Sequence, residues 1–166
     1  MLLAVAHGSR DPAALTSIRL LLREVRSLWP ELPFHCCFLD FAQPSLPEAL
    51  AQLADAQTVL VPLLISTGYH LRVDLPAALT VIGLPLTHLA GALGPQPLLA
   101  EALADRLAEA GAAQHAPVVL AGAGSSDPTA LADTTRMADL LAHRRGRPGG
   151  PRATVGRLTD PSRWCA

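Results

Sequence analysis

The sequence predicts an α/β fold, a parallel sheet flanked by helices, and three observations predict it. Short apolar runs alternate with longer amphipathic stretches, the rhythm of successive βαβ units. The run from Thr58 to Leu64 is almost continuously apolar, as expected of a parallel strand covered on both faces. A strand–turn–cap pattern near the start of the chain recurs further along it, so the chain carries an internal repeat.

The elements follow in order. Leu2 to Ala6 reads as a buried strand. Asp11 and Pro12 supply an N-cap and a first-turn proline. Leu15, Ile18, Leu22, Val25 and Trp29 then recur at helical spacing, with Arg19, Arg23 and Arg26 off that stripe. Pro30 and Pro33 end the helix, and Phe34 to Leu39 is a second strand. Ser45 and Glu48 make a capping box for a helix through about Ala54. Thr58 to Leu64 is the third strand. After a loop, a fourth falls within Leu79 to Ile82 or Leu84 to Leu89. Gly94-Pro95 opens a helix with Leu98, Leu99, Leu103 and Leu107 inward. Pro117 to Ala121 is a fifth strand and Asp127 to about His143 a further helix. Arg144 to Arg152 reads as a solvated basic loop, and Ala153 to Leu158 as a sixth strand.

Composition narrows the functions. Of 166 residues, 50% are hydrophobic, enough to build a core and to argue against disorder. The net charge of −1 gives no electrostatic footprint for nucleic acid. With 4% aromatics, no stacking platform for single strands is evident. Cysteines at 36, 37 and 165 suit neither a disulfide framework nor a zinc knuckle. Met1 to Ala6 is too short for a signal-peptide core, and no apolar run reaches membrane-spanning length. The expectation is a soluble protein of a reducing cytoplasm.

The repeat aligns Leu3-Ala4-Val5-Ala6-His7-Gly8-Ser9-Arg10-Asp11-Pro12 with Val119-Leu120-Ala121-Gly122-Ala123-Gly124-Ser125-Ser126-Asp127-Pro128, at an offset of 116 residues. The Gly, Ser, Asp and Pro positions coincide. The histidine does not: His7 faces Ala123. The expected organisation is a first half over 1–113 carrying the site, then an incomplete second copy over 114–166 of a strand, a helix and one further strand.

Two segments carry chemistry. In His7-Gly8-Ser9-Arg10, glycine lets the backbone approach a ligand, the following helix N-terminus offers N–H groups to an anion, and Arg10 can fork onto a carboxylate. Taken alone, a His-Gly pair is more often just a turn. The second segment, Gly68-Tyr69-His70-Leu71-Arg72-Val73-Asp74, leaves the third strand. A polar, glycine-bearing loop after an apolar strand is a usual place for function. In a parallel sheet the histidines after the first and third strands can line one crevice beyond the strands' carboxyl ends. His35, His88, His115 and His143 read as structural or surface residues.

These segments, with Phe38-Leu39-Asp40-Phe41-Ala42-Gln43-Pro44-Ser45, Val61-Pro62-Leu63-Leu64, Leu75-Pro76 and Leu93-Gly94-Pro95-Gln96-Pro97-Leu98-Leu99 in the same order, resemble the sirohydrochlorin chelatases, the class II metal chelatases of sirohaem and cobalamin synthesis. The resemblance spans most of residues 1 to about 128. It implies a lyase that inserts cobalt, iron or nickel into sirohydrochlorin or a related tetrapyrrole, the metal being a substrate and no organic cofactor being needed. It implies His7 and His70 as metal ligands and catalytic residues, and Asp40 as an acidic partner that orients a histidine. Gly8, Ser9, Arg10, Gly68, Tyr69 and Arg72 are then the candidates for binding the carboxylate-rich ring. It also implies paired sheets around a cleft, formed by a homodimer of short chains or by a duplicated long one. This chain departs from both patterns, because its second copy has no counterpart of Gly68-Tyr69-His70.

Neutral imidazole suits such a reaction, since it both ligates a metal and accepts a proton near neutral pH. Two protein ligands leave positions open for ring nitrogens. The rival readings are a phosphotransfer enzyme with a nucleophilic histidine, a non-catalytic metal- or tetrapyrrole-binding module or inactive chelatase fragment, and a purely structural α/β domain. Ala6, where the first rival generally needs arginine, counts against it. The last leaves both histidine segments unexplained.

Overall fold

The computed structural model describes residues 1–53, 57–83, 87–122 and 125–146. Contacts divide the chain into two compact units, Met1–Leu64 with Tyr69–Ala92, and Ile65–Gly68 with the chain from Leu93 onward. The expected division at residue 113 followed the repeat in the sequence, whereas compactness follows contacts.

The first unit is built on β1 (Leu2–Ala6), β2 (Phe34–Phe38), β3 (Thr58–Pro62) and β4 (Thr87–Leu89), joined by α1 (Pro12–Leu28), α2 (Leu46–Gln52) and α3 (Leu75–Ile82). All strand pairs are parallel and the order is β2-β1-β3-β4. Val5 pairs with Cys37 on one side and Pro62 on the other. The connection from β1 leads to one edge and that from β3 to the other, so the boundary between β1 and β3 is a topological switch point, where ligands of open α/β sheets bind.

Leu3, Val5, Cys37 and Leu60, all fully buried, pack with Leu46, Leu50, Leu71 and Leu75 into the core. Each such leucine or valine contributes about 1.5–3 kcal/mol by leaving water. Burial pushes the Cys37 thiol up to about 12, helped by the neighbouring Cys36. It raises Cys36 as well, against the opposing charge of Arg19. The capping box forms as expected, with the Glu48 carboxylate accepting from the Ser45 N–H at 2.8 Å and its hydroxyl at 2.7 Å. Those bonds hold Glu48 below the usual carboxylate range.

Several expectations change. β3 alternates rather than being covered on both faces, because Val59 is 39% exposed between buried Thr58 and Leu60. Leu79 to Ile82 belongs to α3, and of the two candidates only the later one contains a strand. The segment before α3 is not a plain loop but a π-helical turn, His70–Asp74. Trp29 lies past the end of α1 and is exposed, and no residue of that helix is buried. The end of the α2 expectation, Ala54, lies outside the described residues.

The second unit contains α4 (Pro97–Glu109) and α5 (Pro128–Arg144). They line a largely apolar cavity of about 500 Å³, with Leu99, Leu103, Leu131 and Met137 among its walls. Leu98 is exposed rather than inward. Pro117 to Ala121, expected as a fifth strand, pairs with no strand among the described residues; a strand needs a neighbour to satisfy its backbone. Arg145 is not solvated as expected: it is buried, and its guanidinium donates to the Ala113 carbonyl at 2.7 Å. The sixth-strand candidate, Ala153 to Leu158, and 147–152 of the basic loop lie outside the described residues. Among the described residues no helix is long and apolar enough to cross a membrane.

Candidate metal centre

Three loops at the carboxyl ends of the sheet each deliver one side chain that could ligate a metal. His7 follows β1, Asp40 follows β2, and His70 opens the π-helical turn after β3. Their ligand atoms all lie within 4.8 Å of one another. Among the described residues this is the one group in which three such side chains converge. The rings of His7 and His70 stand 5.0 Å apart and nearly perpendicular, at 85°.

The backbone explains the convergence. Asp40 N–H donates to the His7 carbonyl at 2.9 Å, and Leu39 N–H to the Ala6 carbonyl at 2.9 Å, so the loop after β2 is tied to the loop after β1. That approach requires Gly8, which has φ +91°; a Cβ there would sit 1.8 Å from the Asp40 carbonyl oxygen. Gly8 thus brings Asp40 to His7, which is the role its chemistry fits best. Ser9 serves the same turn, its hydroxyl accepting the Asp11 N–H at 3.0 Å.

His70 Nδ1 lies 2.7 Å from Asp74 Oδ2. A carboxylate accepts, so in the neutral ring Nδ1 carries the proton and the lone pair of Nε2 is left free. The partner that orients a histidine is therefore Asp74, and Asp40 stands within the cluster itself. Sequence reasoning missed Asp74 in this role, although its spacing from His70 on a helical turn was a usable signal. Two imidazoles and a carboxylate form a donor set suited to divalent iron, cobalt or nickel, with positions left open.

Of the other candidates, Tyr69, Arg72 and Arg10 belong to the same unit as this cluster. Tyr69 is exposed, its ring 6.5 Å from that of His70. Arg72 is exposed on the same turn. The Arg10 guanidinium lies over the Phe41 ring, 4.8 Å from its centroid. Gly68 belongs to the second unit, where its N–H donates to the Ser66 carbonyl. His35, His88, His115 and His143 are exposed and stand outside the cluster.

Fold and cluster together define an open parallel α/β protein with an imidazole–carboxylate centre beyond its switch point. The chain belongs to the CbiX family, whose model matches residues 1–110. It is 26% identical over 152 residues to the sirohydrochlorin cobaltochelatase of Priestia megaterium, covering 84% of this chain and 49% of the relative. A sirohydrochlorin ferrochelatase of the same organism is 29% identical over 150 residues, covering 84% and 56%. Among solved structures, SirB from Bacillus subtilis with Fe3+ superposes with a TM-score of 0.73 at 26% identity, covering 93% of this chain and 62% of that one. The resemblance read from the motifs is borne out, as is the parallel sheet flanked by helices. The chain spans about half the length of the curated relatives it matches.

Proposed function

We propose that this chain is a cytoplasmic sirohydrochlorin chelatase that inserts a divalent metal, cobalt or iron, into the ring, with His7, Asp40 and His70 as the metal-holding residues. The observation that carries the reading is the convergence of those three side chains at the sheet's switch point. Nickel suits the same donors, and no organic cofactor is needed.

Insertion removes two N–H protons from the macrocycle as the cation enters. A closed four-ligand site would trap the metal, whereas three protein ligands leave room for ring nitrogens. Asp74, held against His70 Nδ1, would leave Nε2 free to take the metal. As the metal passes to the ring, each freed imidazole can accept one of the displaced protons. Arg10, Arg72 and the α1 N-terminus offer partners for the ring's carboxylates, with Tyr69 beside His70. A homodimer would supply the other side of the cleft.

The test is an absorbance time course of protein with sirohydrochlorin and cobalt(II), beside the His7→Ala, His70→Ala double variant and a protein-free control. A metal-dependent change faster than both controls is expected. Equal rates in all three would reject catalysis. The half-length match to the relatives then favours the second reading, a metal- or tetrapyrrole-binding module, detected as binding without turnover.

A further inference from the structure

Beside the candidate ligands stands a residue that the fold does not explain. Phe41 has φ +58° and is 59% exposed. Ala42 N–H donates to the Asp40 carbonyl at 2.7 Å across it, which closes a γ-turn with a positive central φ, the rare and strained kind. Glycine or asparagine would occupy that backbone more cheaply than a phenyl side chain. A residue held in such a conformation while turned to solvent points to a use outside packing.

Its surroundings identify the use. The Phe41 ring lies 6.5 Å from that of His7, tilted by 30°. His7 neighbours His70, which neighbours Tyr69. The two histidines are thus flanked by an exposed aromatic ring at each end. Arg10, four residues into the first loop, covers Phe41 through its guanidinium, an exposed contact that is weak and readily exchanged.

Resting on the chelatase reading above, we propose that Phe41 is a stacking residue for the face of the tetrapyrrole macrocycle and that Arg10 is its movable cover. A flat conjugated ring arriving over the histidines gains apolar contact with the phenyl face. Arg10, displaced from that face, is released beside the ring's edge, where carboxylates accept its fork of donors. Phe41 offers the metal no ligand atom; it fixes how the macrocycle lies beside the histidines.

The experiment compares wild type, Phe41→Gly and Phe41→Tyr in three measurements: thermal melting, cobalt(II) binding by visible absorbance, and metal-free sirohydrochlorin binding by titration. Phe41→Gly is expected to melt at the same or a higher temperature, to bind cobalt(II) like wild type, and to bind sirohydrochlorin roughly tenfold more weakly. Phe41→Tyr is expected to retain both ligands. Undiminished sirohydrochlorin binding by Phe41→Gly overturns the proposal, and so does joint loss of melting temperature and both ligands, which marks a structural role. Wild type that binds sirohydrochlorin but not cobalt(II) overturns the chelatase reading alone, with the Phe41→Gly comparison still deciding this one. Wild type that binds no sirohydrochlorin overturns both.

Discussion

In the segment Leu3–Pro12 and its repeat Val119–Pro128, the same cap contacts recur at the same offset. Ser9 and Ser125 accept the N–H groups of Asp11 and Asp127 at 3.0 and 3.1 Å. The two aspartates accept from Ala13 and Thr129 at 2.9 and 2.8 Å, with φ/ψ of −80°/118° and −82°/120°. Each opens a helix of 17 residues. The residues just before the turns share nothing of this. Leu3 and Val5 are fully buried and paired on both sides, whereas Val119 is 62% exposed and unpaired among the described residues. A cap is made by its own few residues, and so it survives copying. A strand is made by its neighbours, and the copied sequence does not bring them along. Where the first unit fills its core with sheet, the second leaves a cavity lined by α4 and α5.

The contrast can be broken most directly at its matched positions. Leu3→Ala is expected to destabilise by about 2–5 kcal/mol, and its counterpart Val119→Ala by no more than about 0.5 kcal/mol, in urea unfolding. Similar losses at both would mean that the second segment is as well packed as the first. Gly8→Ala comes next. The left-handed φ and the contact with the Asp40 carbonyl predict a loss of roughly 2 kcal/mol, together with loss of cobalt(II) binding as Asp40 leaves the cluster; unchanged binding would detach Asp40 from the site. The caps should behave alike: Asp11→Ala and Asp127→Ala are each expected to cost about 1 kcal/mol and to add in the double variant. Markedly unequal costs would show that the shared geometry hides different surroundings.

The last effect is a pH dependence confined to the alkaline range. Cys37, across from Val5 in the ladder, has its thiol raised from 9.0 to about 12 in the folded state. The folded protein therefore holds this proton where the unfolded chain has released it. The stabilisation is complete below pH 9 and is lost as pH rises from there toward 12. Cys37→Ala should flatten that alkaline decline in unfolding free energy, and an unaltered slope would assign it to other groups.

The residues that revealed the site in the sequence were those whose chemistry is local. His7-Gly8-Ser9-Arg10 announced a turn and a cap, and Gly68-Tyr69-His70 announced a polar loop after an apolar run. Phe41 and Asp74 went unassigned because neither is unusual by type. One acquires its meaning from a backbone angle, the other from a turn that places it 2.7 Å from His70 Nδ1. In the same way Asp40 read as an orienting partner, since no sequence pattern shows that its carboxylate lies within 4.8 Å of the ring nitrogens of both His7 and His70.

By itself, then, the sequence determined the parallel α/β alternation, the paired caps, the family and the two histidines, all of which rest on short-range periodicity or on contiguous motifs. Only the tertiary structure decided that β1 and β3 meet at a switch point, that Gly8 admits Asp40 to the cluster, and that Pro117 to Ala121 goes unpaired among the described residues. Each of those depends on which distant segments become neighbours, and adjacency across a sheet leaves no mark on the residues between.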